Sequence, residues 1–224
     1  MSRPEPQPPI KEAPGNETRR IVMAAGDATT VLAIDSAVGV LVATAERGQA
    51  ERDALVESHL RALTGRADID IERRPSGRPR LAPPYLELSI SLSRRDGLVL
   101  AAFSPDRRVG ADLESYSLDL DVVSLSRDHY APAEVKVIED LDLAAARDVF
   151  LRLWVAKEAA LKITGRGIYD GLGEPDCASV IDRLHCDGAI AVLPASARLP
   201  ALRLAVRTCR AHDALIYCAL AVEG

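Results

Sequence analysis

Apolar positions along the chain change period often enough to divide it into elements. A polar, proline-rich opening, MSRPEPQPPIKEAPGNETRR, gives way to Thr30–Ala43, TVLAIDSAVGVLVA, with strand character at its start. Leu55, Val56, His59, Leu60 and Leu63 recur at helical spacing, and Gly65 suits a C-cap. Ala67–Glu72 alternates as a short strand, while Pro75–Pro84 is turn-rich, with little room for regular structure. Leu86–Ser93 alternates, Arg94–Gly97 has turn character and Leu98–Ser104 reads as a buried strand, which together predict a hairpin. Val109–Glu114 follows as a third strand, and Ser115–Tyr130 has no clear period. A helix begins at Ala131 with Pro132 in its first turn, and a long second one stops at Gly165-Arg166-Gly167. The tail supplies further strands in CASVIDRL, AIAVLP, ALRLAVRTC and ALIYCALAV. This order predicts an α+β fold with antiparallel sheets, not a βαβ alternation, in two halves meeting near Gly110. No sequence repeat is visible.

The long helix raises a problem of charge. Phe150, Leu151, Leu153, Trp154, Val155, Ala156, Ala159, Ala160, Leu161 and Ile163 make it apolar on nearly every side, yet Lys157, Glu158 and Lys162 lie in its middle. At ~100° per residue, Lys157 falls between Leu153 and Phe150, and Glu158 between Trp154 and Leu151, with Arg152 and small residues opposite. A helix apolar all round is normally buried, and a buried charge must be paired, hydrogen-bonded or bound to metal. The surface alternative is an i,i+4 pair of Glu158 and Lys162, with Lys157 extending to water.

In VGADLE, Asp112 and Glu114 stand at i and i+2, so on a strand both carboxylates share one face. A helix packed over that face would add Glu158. Clustered carboxylates repel unless protonated or holding a cation. Three oxygen ligands without His or Cys suit Mg²⁺, which keeps water and usually a phosphate oxygen in its shell. Lys162, one turn beyond Glu158, could meet that phosphate, and Lys157 would help neutralise the cluster.

Composition narrows the classes. The chain has 224 residues, 48% hydrophobic and 27% charged, which suits one large domain or two small ones. No apolar run approaches the ~18 residues of a membrane helix. The first 19 residues read as a disordered leader without a signal region, so a cytoplasmic location is expected. A net charge of −5 argues against general nucleic-acid binding. Its distribution is uneven: Arg61–Arg108 carries ten Lys/Arg and six Asp/Glu, a net of +4, and Val109–Asp148 three and ten, a net of −7. An anion site beside a cation site, or two solvated surfaces, would give that pattern. Cys177, Cys186, Cys209 and Cys218 have no metal spacing and read as reduced structural cysteines.

VGADLE followed by FLRLWVAKEAALKITGRGI resembles the 4′-phosphopantetheinyl transferase superfamily in its two-half monomeric (Sfp-type) branch. The pattern G-x-D-x-E, then W-x-x-K-E-x-x-x-K and G-x-G, is met by Gly110, Asp112, Glu114, Trp154, Lys157, Glu158, Lys162, Gly165 and Gly167. SGRP at Ser76–Pro79 resembles the family's G-K-P, and SISLS at Ser89–Ser93 its I-S-H-S, with Leu92 at the histidine position. The resemblance implies two pseudo-twofold-related α+β halves with antiparallel sheets, residues 20–109 and 110–224, and coenzyme A between them. It implies transfer of 4′-phosphopantetheine from coenzyme A to a serine of an apo acyl or peptidyl carrier protein, serving fatty-acid, polyketide or nonribosomal peptide synthesis. Carried over by position, Asp112, Glu114 and Glu158 hold Mg²⁺, Glu158 is the base and Lys162 binds the pyrophosphate. Arg52, Arg78, Ser91, Arg94 and Lys157 join Lys162 in holding coenzyme A. Arg94 or Arg95 could replace the missing histidine, because guanidinium binds phosphate bidentately, or both could be solvated turn residues. Trp154 reads as packing. Apolar residues of Ser115–Asp142 (Leu118, Leu120, Val122, Val123, Leu125), with Arg127 and Lys136, could dock the carrier or be core. A monomer is expected. A Mg²⁺-dependent phosphohydrolase and an inactive coenzyme A-binding relative are the competing readings.

Overall fold

Two four-stranded antiparallel sheets and two long helices frame the described residues in a computed structural model. It describes residues 28–44, 48–75, 77–84, 88–117, 119–165, 172–211 and 213–224. The expected leader, together with Ser76, Leu118, Arg166 and Gly167, lies outside the described residues. The elements are β1 (Ala28–Ile34), β2 (Ala37–Ala43), α1 (Gln49–Thr64), β3 (Ile71–Arg73), β4 (Pro79–Leu81), β5 (Ser89–Arg95), β6 (Leu98–Ser104) and β7 (Val109–Ser115). They continue with α2 (Val122–His129), α3 (Pro132–Glu139), α4 (Leu143–Thr164), α5 (Ile181–His185), β8 (Ile190–Leu193), β9 (Leu202–Ala211) and β10 (Ala214–Glu223). The first sheet has the order β1-β2-β6-β5, the second β7-β10-β9-β8, and β3 pairs with β4 alone. This is the α+β architecture expected from the sequence.

The sheets share a plan that the sequence does not display. In each, one strand leads to a long helix and then to a hairpin whose second strand returns beside the first: β2–α1–β5–β6, and β7–α4–β9–β10. The sheets face each other across a core of Leu32, Leu41, Leu98, Leu100, Ala111, Leu113, Ile216, Cys218 and Leu220. The alternate residues of the same strands face outward to a helix. Val99, Ala101 and Phe103 meet Val56 and Leu60 of α1. Tyr217, Ala219 and Ala221 meet Phe150, Leu153 and Val155 of α4. Strands covered on both faces need apolar residues at nearly every position, which is why LVLAAF and ALIYCALAV are continuous runs.

Four sequence expectations change. Thr30–Ala43 is a hairpin, not one strand: Asp35, at φ 50°, turns the chain between β1 and β2. The turn-rich Pro75–Pro84 contains β4, and the strand expected over Ala67–Glu72 starts only at Ile71 to pair with it. Cys177–Leu184 is helical rather than extended, as a short 3-10 turn at Ala178–Val180 followed by α5. Its apolar residues 177, 180, 181 and 184 pack on the α4 core, and that spacing is helical. Arg152, placed opposite the large apolar residues, is 4% exposed and donates to Asp148, Asp187 and the Leu184 carbonyl. Burial would raise the Asp148 carboxyl, but His185, Arg152 and Tyr217 hold it down at about 2.

Helix α4 is well delimited. Asp142 accepts from the N–H groups of Ala144 and Ala145, and Gly165, at φ 75°, closes the other end on the Leu161 carbonyl. It crosses β7 at Gly110, where a Cβ would stand 1.9 Å from the Ala159 carbonyl oxygen. Backbone, not a flexible side chain, occupies that space. Gly110→Ala is therefore expected to cost roughly 3 kcal/mol or more in urea unfolding, by forcing α4 off the sheet. Gly39→Ala in β2, where the nearest atom would be Leu32 Cβ at 3.6 Å, is the control and should stay within about 1 kcal/mol of the parent. Equal stability for both variants would remove the tight crossing.

Candidate active site

The site is built where β5 runs beside β7 and α4 lies over β7. Alternate residues of β5 face β7. The Ser89 hydroxyl accepts the Val109 N–H (3.0 Å), and the Ser91 hydroxyl accepts the Ala111 N–H (3.1 Å). Ser93 donates to Asp112 Oδ1 (2.8 Å). Arg95 Nε lies 3.4 Å from both Glu114 Oε2 and the Ser115 hydroxyl. The intervening Ile90 and Leu92 turn to the α1 core. That packing accounts for the leucine at position 92.

From α4, Lys162 Nζ donates to the Ala111 carbonyl (2.9 Å) and to Asp112 Oδ1 (2.7 Å). Glu158, one turn earlier, is 7% exposed and Asp112 is 5% exposed. Burial, then the charge of Asp112 and to a smaller degree that of Glu114, raises the Glu158 carboxyl to about 7 against the opposing pull of Lys162. Glu114 is also raised by burial, with Arg95 opposing. Asp112 Oδ2 is buried and has no hydrogen-bond partner. An orphaned carboxylate oxygen beside a carboxyl of raised pKa suits a hard cation with oxygen ligands. Among the described residues, no three His, Cys, Asp or Glu side chains are gathered closely enough to hold a metal unaided. A cation here would complete its shell with water or ligand oxygens.

Other residues singled out from the sequence fall elsewhere. Lys157 does not neutralise the carboxylates or reach a ligand: turned about 100° away from Glu158, it is fully buried and paired with Glu134 at 2.8 Å. Its ammonium also donates to the Leu172 and Pro175 carbonyls, while Glu134 accepts from the Ala131 and Cys177 N–H groups. Lys157 therefore has its three donors filled, which closes it to a phosphate. Ser91 is buried and its hydroxyl is occupied by β7, so it acts as a seam residue and not as a ligand contact. Arg78 stands at the end of α4, donating to the Ile163 carbonyl (3.3 Å) beside Gly165. Burial, with Arg74 and Arg108 nearby, lowers its pKa. Arg52 is half-buried in the first turn of α1, and Arg94 is exposed on the α1 side of β5. Trp154 packs against Phe150 and edge-on to His129. Leu120, Val122, Val123 and Leu125 belong to the α4 core, and Arg127 pairs with Glu139, so little of α2 is left as an apolar docking face.

Sequence reasoning passed over Ser93 as a site builder, read Arg95 only as a phosphate candidate or a solvated turn residue, and missed Glu134. The period-2 alternation of SISLSRR held the signal for the first two; Glu134 had none, because its partner lies 23 positions away.

The constellation sets a lysine beside two buried carboxylates on an α+β frame. The family model of the 4′-phosphopantetheinyl transferase superfamily matches residues 108–205, the segment that carries Asp112, Glu158 and Lys162, and the resemblance in the sequence is thereby shown. The 4′-phosphopantetheinyl transferase HetI of Nostoc sp. is 33% identical over 117 residues, 51% of this chain and 48% of that protein. A 4′-phosphopantetheinyl transferase candidate of Synechocystis sp. is 32% identical over 105 residues, 45% of this chain and 41% of its own. The chain spans about half the length of the curated relatives it matches. No helix among the described residues is long and apolar enough to cross a membrane.

Two stability measurements test this geometry. Below about pH 4, Glu158 is protonated folded or unfolded and has no effect. As pH rises from 4.5, the value of the free group, to its folded value of about 7, the folded state loses up to roughly 3 kcal/mol, and above that the loss is complete. Glu158→Gln is thus expected to be more stable than the parent at about pH 8, with the gap closing in acid; a parent as stable as the variant at pH 8 contradicts the burial. Lys157→Met strands the Glu134 carboxylate and should cost roughly 3–5 kcal/mol, whereas a ligand-contacting lysine would leave stability unchanged.

Proposed function

We propose that the protein transfers 4′-phosphopantetheine from coenzyme A to a serine hydroxyl of an apo acyl or peptidyl carrier protein, with Mg²⁺. The observation that carries this reading is the pairing of Lys162 with Asp112 one helical turn from Glu158, on a buried face shared by α4 and β7. The matched superfamily and the names of both relatives support it. In this reading the chain works as two halves, residues 20–109 and 110–224, with coenzyme A between them.

Asp112 and Glu158, with Glu114 beside them, are the residues that would hold Mg²⁺; the ion supplies charge neutralisation at the pyrophosphate. Arg78, Arg52 and Arg94 are the cationic groups of the first half for the substrate's phosphates. Glu158, on the face that α4 turns to Asp112, is the carboxylate placed to act as the base. It takes the proton of the carrier serine as the serine oxygen bonds to the phosphorus that bears pantetheine. The bond from that phosphorus to the bridging oxygen breaks, and the electron pair leaves with adenosine 3′,5′-bisphosphate. Lys162 neutralises that departing charge, and positioning with electrostatics does most of the work.

The test weighs an apo carrier protein by mass spectrometry after incubation with the full chain, coenzyme A and Mg²⁺. A gain of one phosphopantetheine is expected, lost with chelator and reduced about 10²-fold or more by Glu158→Ala. Lys162→Ala should slow transfer by roughly 10²-fold without weakening carrier binding. Nucleotide release with the carrier unmodified, across acyl and peptidyl types, would replace transfer by hydrolysis.

A further inference from the structure

The three carboxylates of the site do not have equivalent partners. Asp112 keeps one buried oxygen without a hydrogen bond, while its other oxygen takes Lys162 and Ser93. Glu158 lies beneath α4 beside it. Glu114, at the wetter end of β7 with a 26% exposed side chain, is engaged by Arg95. Arg95 Nε faces three neighbours. Glu114 Oε2 and the Ser115 hydroxyl lie at 3.4 Å, and the Asp96 carboxylate lies at 3.7 Å. Asp96 and Gly97, at φ 48° and 73°, form the tight turn that fixes the end of β5 and the backbone of Arg95, while its half-exposed side chain can reach either Glu114 or Asp96. A cation approaching Glu114 meets a positive charge already in place, and Asp96 gives that charge a second partner when it is displaced.

We propose that Arg95 is a positioning residue that competes with the divalent cation for Glu114, so that the free protein takes the cation on Asp112 and Glu158 and gains Glu114 only when Arg95 turns to Asp96. The inference rests on the cation reading of the proposed function. It gives β5 a part in setting cation affinity, and it makes Glu114 a conditional ligand rather than a standing one.

Mn²⁺ binding by the full chain, followed by the EPR signal of the free ion without coenzyme A or carrier, tests it through a double-mutant cycle. Arg95→Ala should bind Mn²⁺ about fivefold tighter, the effect of one freed carboxylate charge meeting the ion in water. Glu114→Gln alone should change affinity by less than about twofold, because its carboxylate is not yet in use. In the Arg95→Ala/Glu114→Gln protein the gain should vanish, since it requires the freed carboxylate. A gain that persists in the double variant means that Arg95 acts only as a distant charge and overturns the competition. So does a large loss in Glu114→Gln alone, or an Arg95→Ala protein no tighter than the parent. Asp112→Asn separates the two readings: binding that survives it places the ion elsewhere and sinks the cation site itself.

Discussion

Strand β7 and helix α4 meet backbone to backbone at Gly110, and the chemistry of the site depends on that approach. Ala156, Ala159 and Ala160 keep the facing side of the helix thin, and all three are fully buried. A larger residue at any of these points would lift the helix by the thickness of a side chain. Lys162 would then no longer span to the Ala111 carbonyl and Asp112 together. The small residues of the long helix are thus not a gap in its apolar surface. They are the condition under which two charged groups, 50 positions apart in sequence, reach hydrogen-bonding distance.

The charges of α4 divide by how completely they are satisfied. Lys157 and Glu134 have every strong valence filled, and Arg152 is fixed between Asp148 and Asp187. Groups so saturated orient the helix and the segments around it, at the risk that losing one partner leaves a buried charge. Asp112 and Glu158 are left short. One has an orphaned oxygen, and the other is pushed by burial and like charge to about 7. An unsatisfied buried carboxylate is a cost to the fold that ligand binding can remove, and such shifted groups concentrate where chemistry is done. Neighbouring residues in one motif therefore serve opposite purposes, because about 100° of helical rotation sends one into the core and the other to the strand.

What the sequence made legible follows from period. The 98–104 and 214–223 runs, the hairpin at Asp96-Gly97 and the long helix all carry strong local signals. The placing of Asp112 and Glu158 was readable from i,i+2 on a strand and from the lack of a polar face on the helix. Lys157 was misplaced because periodicity gives an azimuth but not the identity of what lies across from it. Its partner, Glu134, comes from a different helix. Cys177–Leu184 was read as extended because it is short and apolar, although its spacing of three, four and seven already matched a helix turned to a core. The β1–β2 hairpin was hidden by an Asp-Ser turn that lacks glycine, which Asp35 makes by taking a positive φ itself.

The seam between the sheets explains why three alternate serines and an arginine stand in β5. A backbone ladder between β5 and β7 would merge two sheets into one and leave the side chains pointing to its faces. Here the Ser89 and Ser91 hydroxyls take the place of carbonyls in receiving β7 N–H groups, so the strands are held a side chain apart. Two residues further on, the same row of side chains meets carboxylates in place of N–H groups. A hydroxyl can accept at one position and donate at the next, so Ser93 binds Asp112 with no change of residue type. Where the carboxylate is wetter, a guanidinium takes over. One strand face thus passes from fastening the two sheets to meeting the carboxylates of the site, through donor and acceptor chemistry alone.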